Sequence, residues 1–184
     1  MSLTDHARKD TLFMFETFLP DGIFNNVYEL TPEYLKRSGI NALILDIDNT
    51  LVTYDDPEPT ESVKNWLDSL HSAGIQTAFV SNNHAERVEL FCRGLGCYFH
   101  ADAKKPSRKF MLEAMNTMGT TLSDTAAVGD QLFTDVWAAT RCGMRSFLVP
   151  PIKDKRTPFF RFKRALEKPF LRIYYKRQTQ GDKK

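Results

Sequence analysis

Residues 42–51 read Ala-Leu-Ile-Leu-Asp-Ile-Asp-Asn-Thr-Leu, and the rest of the chain is legible as their support. Ala42 to Leu45 form an unbroken apolar run with no alternation, the pattern of a strand buried on both faces of a sheet. The run ends in Asp46 and Asp48, two carboxylates two positions apart, followed by Thr50. Placing like charges at the end of a buried strand is costly unless a cation offsets them. In open α/β sheets the ligand site lies at the carboxyl ends of the strands, where these groups fall. The competing reading is a surface turn, because Asp, Asn and Thr cap helices and form Asx-turns after strands. Three segments further along weigh against it.

The 184 residues suit one domain with a full core, read here as a body over about 40–150 and a C-terminal extension over 151–184. Hydrophobic content of 42% and charged content of 26% are ordinary for a soluble globular protein. No apolar stretch is long enough to span a bilayer, and Met1 to Asp10 is polar, so neither a membrane helix nor a secretory signal is expected. Cys92, Cys97 and Cys142 fit neither a zinc site nor a disulfide framework and read as free thiols in the reducing cytoplasm. The net charge of +2 hides an asymmetry: residues 1–150 carry a net −7 and residues 151–184 a net +9. An acidic body with a basic tail points to an anionic surface as the tail's partner.

Thr11 to Gly39 opens the chain with turn formers (Leu-Pro-Asp-Gly at 19–22) and a capped helix over Pro32–Arg37, and is assigned a packing role. After the Asp46 strand, Thr60 can cap a helix reaching about Ala73, with Val63, Trp66, Leu67 and Leu70 on one face. Ile75 to Val80 is a second buried strand, closed by Ser81-Asn82-Asn83. A helix from about Ala85 to Leu95 and a weak strand near 97–101 follow. Lys104-Lys105-Pro106-Ser107 then leads a helix to about Met118. Thr125 to Val128 is another strand, ending in Gly-Asp-Gln-Leu-Phe-Thr-Asp at 129–135. A helix through Ala138 stops near Gly143, and Arg145 to Val149 closes the pattern. Strands alternating with helices predict right-handed βαβ units around a parallel, five-stranded sheet.

The strand ends, taken together, present Asp46 and Asp48, then Ser81, then Lys105, then Asp130 and Asp135. In this order DIDNT, FVSNN, KKP and GDQLFTD resemble the four motifs of the haloacid dehalogenase (HAD) phosphatase superfamily. Residues 19–39 and GDQLFTDV resemble its YqeG-like subfamily IIIA branch, relatives of the mitochondrial phosphatidylglycerophosphate phosphatase. The resemblance implies a Rossmann-like three-layer α/β sandwich and a Mg²⁺-dependent phosphomonoesterase. By family match, Asp46 would be the nucleophile that forms an aspartyl-phosphate, and Asp48 the acid and base for leaving group and water. Mg²⁺ would be held by the Asp46 carboxylate, the Asp48 backbone carbonyl and Asp130, relieving repulsion between two anions. Asp135 would sit behind them, fixing a metal-bound water or Lys105. Thr50, Ser81 and Asn82, the last through its backbone N–H, would bind the phosphate, and Lys105 would supply positive charge. Lys104 competes with Lys105 for that role, and proximity to Pro106 favours Lys105 by resemblance.

Each segment alone also reads as a loop, a cap or solvated charge; the order of all four carries the argument. Gly94-Leu95-Gly96 precedes a strand, so it is no dinucleotide fingerprint, and no Gly-x-x-x-x-Gly-Lys loop is present. His84 is the histidine nearest Ser81. HAD enzymes acting on small metabolites usually carry an inserted cap, and neither Val52–Pro59 nor 81–105 leaves room for one. An open site suits a phosphate on something large, such as a lipid head group or macromolecule, and the resemblance implies that the substrate would be a phospholipid phosphate such as phosphatidylglycerophosphate. A soluble sugar or nucleotide phosphatase and a non-catalytic lipid- or protein-binding adaptor are the rival readings. Residues 158–177 interleave aromatics (Phe159, Phe160, Phe162, Phe170, Tyr174, Tyr175) with cations. Two readings stand: peripheral contact with an anionic membrane, or packing of Leu166, Phe170, Ile173 and Tyr174 on the body. Pro169 is expected to break any single long helix there. RNA binding has no motif behind it.

Overall fold

The computed structural model describes residues 15–153 and 158–181. The polar stretch Met1–Asp10 and the side chains of Phe159 and Phe160, both used in the sequence reading, lie outside the described residues. A single parallel sheet organises the chain. Its strands are β1 (Gly22–Ile23), β2 (Ala42–Leu45), β3 (Gln76–Val80), β4 (Tyr98–His100), β5 (Thr125–Gly129) and β6 (Arg145–Leu148). Their order across the sheet is β1-β6-β5-β2-β3-β4, so β2, the strand that delivers Asp46, is central between β3 and β5.

The helices are α1 (Pro32–Arg37), α2 (Glu61–Ser72), α3 (Ala85–Cys92), α4 (Lys109–Thr117), α5 (Trp137–Cys142) and α6 (Pro158–Gly181). Thr31 and Thr60 cap α1 and α2 as their sequence positions predict, each hydroxyl accepting a backbone N–H of the first turn. The two faces of β2 divide with the period of two that a strand imposes. Leu43 and Leu45 enter one core with Val63, Trp66, Leu67 and Leu70 of α2 and Val88 and Phe91 of α3. Ala42 and Ile44 enter the other with Met111 and Ala114 of α4 and Ala138 and Ala139 of α5. Two helical layers on one sheet make the expected three-layer sandwich, and no cap domain interrupts it among the described residues.

Among the described residues the sheet has six strands where five are expected. Gly22 and Ile23 pair with Phe147 and Leu148 of β6, and Asp21 ties the edge by accepting the Ser146 backbone N–H at 2.8 Å. Two residues are too few to show a period, and the first of them, Gly22, closes the Leu-Pro-Asp-Gly that reads as a turn.

Pro169 does not break α6, which runs through it. A proline leaves the carbonyl four residues back without its helical donor. Here that carbonyl belongs to Ala165, and both residues are exposed, so water can serve it. The opposite face is held: Phe170 and Leu171 pack against Leu132, Val136 and Leu148. Phe170 also meets Phe15, Phe18 and Phe133 at ring separations of 5.2, 5.3 and 5.6 Å. The packing reading thus holds for Phe170 and fails for Leu166, which faces outward. Phe170 is inward, whereas Phe162, Leu166 and Tyr175 are 61%, 45% and 55% exposed.

Candidate active site

The chain leaves β2 and reverses at once. Asn49, in the left-handed region at φ 70°, donates its N–H to the Val52 carbonyl at 2.7 Å. Its side-chain oxygen accepts the Lys153 N–H, so the loop after β6 is tied to the loop after β2. This turn aims Asp46 and Asp48 into a cavity of about 290 Å³ at the carboxyl edge of the sheet. Tyr54, Ser81, Asn82, Asn83, Lys105, Gln131, Thr134, Asp135 and Lys163 complete its lining.

Asp46 is held from both sides. Its Oδ1 accepts from Lys105 Nζ at 2.7 Å, and its Oδ2 accepts from the Thr50 hydroxyl at 3.1 Å. The same ammonium reaches Asp135 Oδ1 at 2.7 Å. Burial pushes the Asp46 carboxyl up to about 6 against the opposing pull of Lys105. Burial depresses the Lys105 ammonium, but Asp135 and Asp46 outweigh it and hold the amine above its ordinary value. Of the two adjacent lysines, Lys105 lines the cavity and is 7% exposed, whereas Lys104 is exposed.

Asp130 leaves β5 almost fully buried, and burial, then Asp135 and Asp46, raise its carboxyl to about 7, with Arg164 opposing. Carboxylate oxygens of Asp46, Asp130 and Asp135 come within 4.8 Å of one another. Three hard oxygen donors at that spacing suit a hard divalent cation. Gly129 permits the approach, because a Cβ there would collide with the Asp135 carboxyl group. Asp135 is fixed further by the Gln131 N–H at 3.1 Å and the Thr134 hydroxyl at 3.2 Å.

The segment after β3 positions its neighbours. The Ser81 hydroxyl lines the cavity and accepts the Asn83 N–H at 3.0 Å. Asn82 turns its side chain to the Lys105 backbone, accepting its N–H at 2.6 Å and donating to its carbonyl at 3.2 Å. Asn83 donates to Asp48 Oδ2 at 2.8 Å. Thr50 holds Asp46 without lining the cavity, and His84 caps α3 on the exposed side.

Three residues here have no place in the sequence reading. Arg87, in the first turn of α3, donates to Asp48 Oδ1 at 2.9 Å and to the carbonyls of Asp56 and Pro57, each at 2.8 Å. It fastens Asp48 to the loop before α2. Its one sequence signal is its place a turn into the helix that follows Ser81. Arg164 of α6 donates to both the carboxylate and the carbonyl of Asp130, and Glu167 accepts from Arg164 and from the Leu132 N–H. Glu167 is the single acid in the basic run 158–177, and that isolation is the available hint.

The sequence of residues 32–143 matches the model of the haloacid dehalogenase-like hydrolases. A probable phosphatase, YqeG of Bacillus subtilis, is 38% identical over 154 residues, covering 84% of this chain and 90% of its own. The crystal structure of the hypothetical protein XCC2798 from Xanthomonas campestris superposes with a TM-score of 0.50 at 21% identity. That match covers 64% of this chain and 72% of the other. With its four motifs gathered around one cavity and its family match covering β2 to β5, this chain belongs to the haloacid dehalogenase-like hydrolases.

Proposed function

We propose that this phosphatase hydrolyses phosphomonoesters in two steps through Asp46, with Mg²⁺ as cofactor. The observation that carries the reading is the convergence of Asp46, Asp48 and Lys105 on one cavity, with Asp130 and Asp135 in chelating range of Asp46. Asp46, the Asp48 carbonyl and Asp130 would hold the cation, which when bound lowers the repulsion between carboxylate and phosphate. Asp46 attacks phosphorus through a carboxylate oxygen, the P–O bond to the alcohol breaks, and an aspartyl-phosphate results. Asp48 gives a proton to the departing oxygen, then takes one from the water that cleaves the intermediate. Asn83 and Arg87 both donate to it, which aims its carboxylate at one place across both steps. Lys105 and Ser81 offer charge and hydroxyl to the phosphoryl oxygens.

The absence of an inserted cap among the described residues supports a substrate whose bulk stays outside the cavity, and the outer face of α6 supports a lipid. Phe162 and Leu166 stand exposed one turn apart, flanked by the exposed cations Arg161, Lys168, Arg172 and Lys176. Each such cation is worth about 1 kcal/mol at an anionic bilayer. A phospholipid head-group phosphate, such as that of phosphatidylglycerophosphate, fits both features. No helix among the described residues is long and apolar enough to cross a membrane, so contact would be peripheral.

The test is turnover of p-nitrophenyl phosphate and of phospholipid phosphates in anionic vesicles, with Mg²⁺ and with chelator. Asp46→Asn is expected to lower kcat by roughly three orders of magnitude or more and to abolish acid-stable labelling of the chain. Full turnover in that variant overturns the mechanism. Equal vesicle flotation of the parent and a Phe162→Asp/Leu166→Asp variant removes the membrane reading.

A further inference from the structure

The C-terminal helix reaches the centre of the site through side chains that the proposed chemistry does not use. Arg164 sits 34 residues beyond Asp130 and makes a forked contact with it. Nη2 donates to Asp130 Oδ2, and Nη1 donates to the Asp130 carbonyl at 2.5 Å. Nη1 also donates to Glu167 Oε2 at 2.8 Å, while Glu167 Oε1 accepts the Leu132 N–H at 3.0 Å. Glu167 is 3% exposed and Asp130 is 1% exposed. One turn of α6 thus grips both ends of the segment Asp130–Leu132.

Such a grip has consequences for a metal ligand. A guanidinium is a rigid fork, so two donors on one residue fix its rotation as well as its position. With Oδ2 taken by Arg164, Oδ1 is the oxygen left to a cation, and its contact is a long one of 3.4 Å from Gln131 Nε2. Glu167 offsets the positive charge of Arg164, which limits its repulsion of an incoming cation. Partners that orient metal ligands from behind commonly control affinity nearly as strongly as the ligands themselves.

We propose that Arg164 is a positioning residue: it presents Asp130 to the divalent cation, and so makes α6 a working part of the active site. The inference rests on the reading of Asp130 as a cation ligand. Its opposite is a guanidinium that competes with the cation for Asp130, and the two differ in sign.

Calorimetric titration of the full chain with Mg²⁺, and with Mn²⁺ as a second probe, separates them. Arg164→Ala is expected to weaken cation binding by about 10–100-fold, and Arg164→Lys, with one point charge and no fork, by less. Turnover of p-nitrophenyl phosphate should fall with Arg164→Ala at low Mg²⁺ and recover in part at high Mg²⁺, a rescue that a simple loss of packing would not give. Should Arg164→Ala fail to fold by circular dichroism, Arg164→Lys and Glu167→Gln carry the same comparison. Unchanged or tighter cation binding in the folded variants overturns the proposal while leaving the metal reading intact. A parent chain that binds no cation removes the metal reading, and this inference with it.

Discussion

Arg87 donates to Asp48 at 2.9 Å from a different element, and the loop carbonyls of Asp56 and Pro57 hold the same guanidinium. Asp48 is thus steered by a fork anchored on two sides. Arg87→Ala frees the carboxylate to rotate away from the reacting oxygens. Displacements of about an ångström in a catalytic group cost on the order of 10²-fold in rate. The expected result is a kcat lowered to about that extent for p-nitrophenyl phosphate, with Mg²⁺ affinity little changed. Steady-state kinetics with a Mg²⁺ titration checks both halves.

Gly129 is a position where one added carbon reaches the chemistry. A Cβ there would overlap the Asp135 carboxyl group, whose oxygen pairs with Lys105 at 2.7 Å. Gly129→Ala must push Asp135 aside or bend β5. Overpacking of this sort costs roughly 1–3 kcal/mol. Urea denaturation should show a loss in that range, and turnover should fall further than stability alone accounts for.

Lys105 is the counter-charge for two buried carboxylates at once. Replacing it by Met leaves Asp46 and Asp135 facing each other without it. Breaking a buried pair by removing one partner costs about 3–5 kcal/mol. Lys105→Met is therefore expected to be inactive and less stable by roughly that amount without metal, with added Mg²⁺ restoring part of the stability but not the turnover. Thermal unfolding with and without Mg²⁺ reads this out.

The raised carboxyls of Asp46, at about 6, and Asp130, at about 7, set a pH dependence. Both lie above the ordinary 3.8, so the fold favours their protonated forms. The stability they contribute without metal is fully present below about pH 4 and is lost as pH rises through 6 to 7. A cation needs the ionised forms, so its binding strengthens over the same window. Melting in chelator and in excess Mg²⁺ should show a larger Mg²⁺-induced rise at about pH 8 than at about pH 5.5. An equal rise at both would contradict these shifts.

What the sequence made legible follows from where each signal is local. Lys105 was preferred to Lys104 by family resemblance alone, whereas the Asp46–Thr50 turn, Ser81 and the Asp130–Asp135 segment each close a buried strand. Apolar runs and turn chemistry mark such places directly. The helix over Pro32–Arg37 was equally readable from its threonine cap and proline. β1 was not, because two residues on a sheet edge carry no period and their partner β6 lies more than a hundred positions away. Arg87, Arg164 and Glu167 were hidden for a related reason: a charged residue on a helix has the same local pattern whether it meets water or a carboxylate. Only the packing of α3 and α6 decides that. Pro169 misled because its cost depends on which face of the helix carries the orphaned carbonyl, and that face is set by the tertiary contacts of Phe170 and Leu171.

The separation of Asp130 from Arg164 also divides the site along the chain. The chain supplies Asp46, Asp48, Lys105, Asp130 and Asp135 first, and the guanidinium that grips Asp130 comes 34 positions after that aspartate. Without it, Lys105 alone of the two cations can offset three acids brought within 4.8 Å. A chain cut short of Arg164 would keep Lys105 beside Asp46 and Asp135 but lose the counter-charge of Asp130, so the centre draws its two cations from opposite ends of the fold.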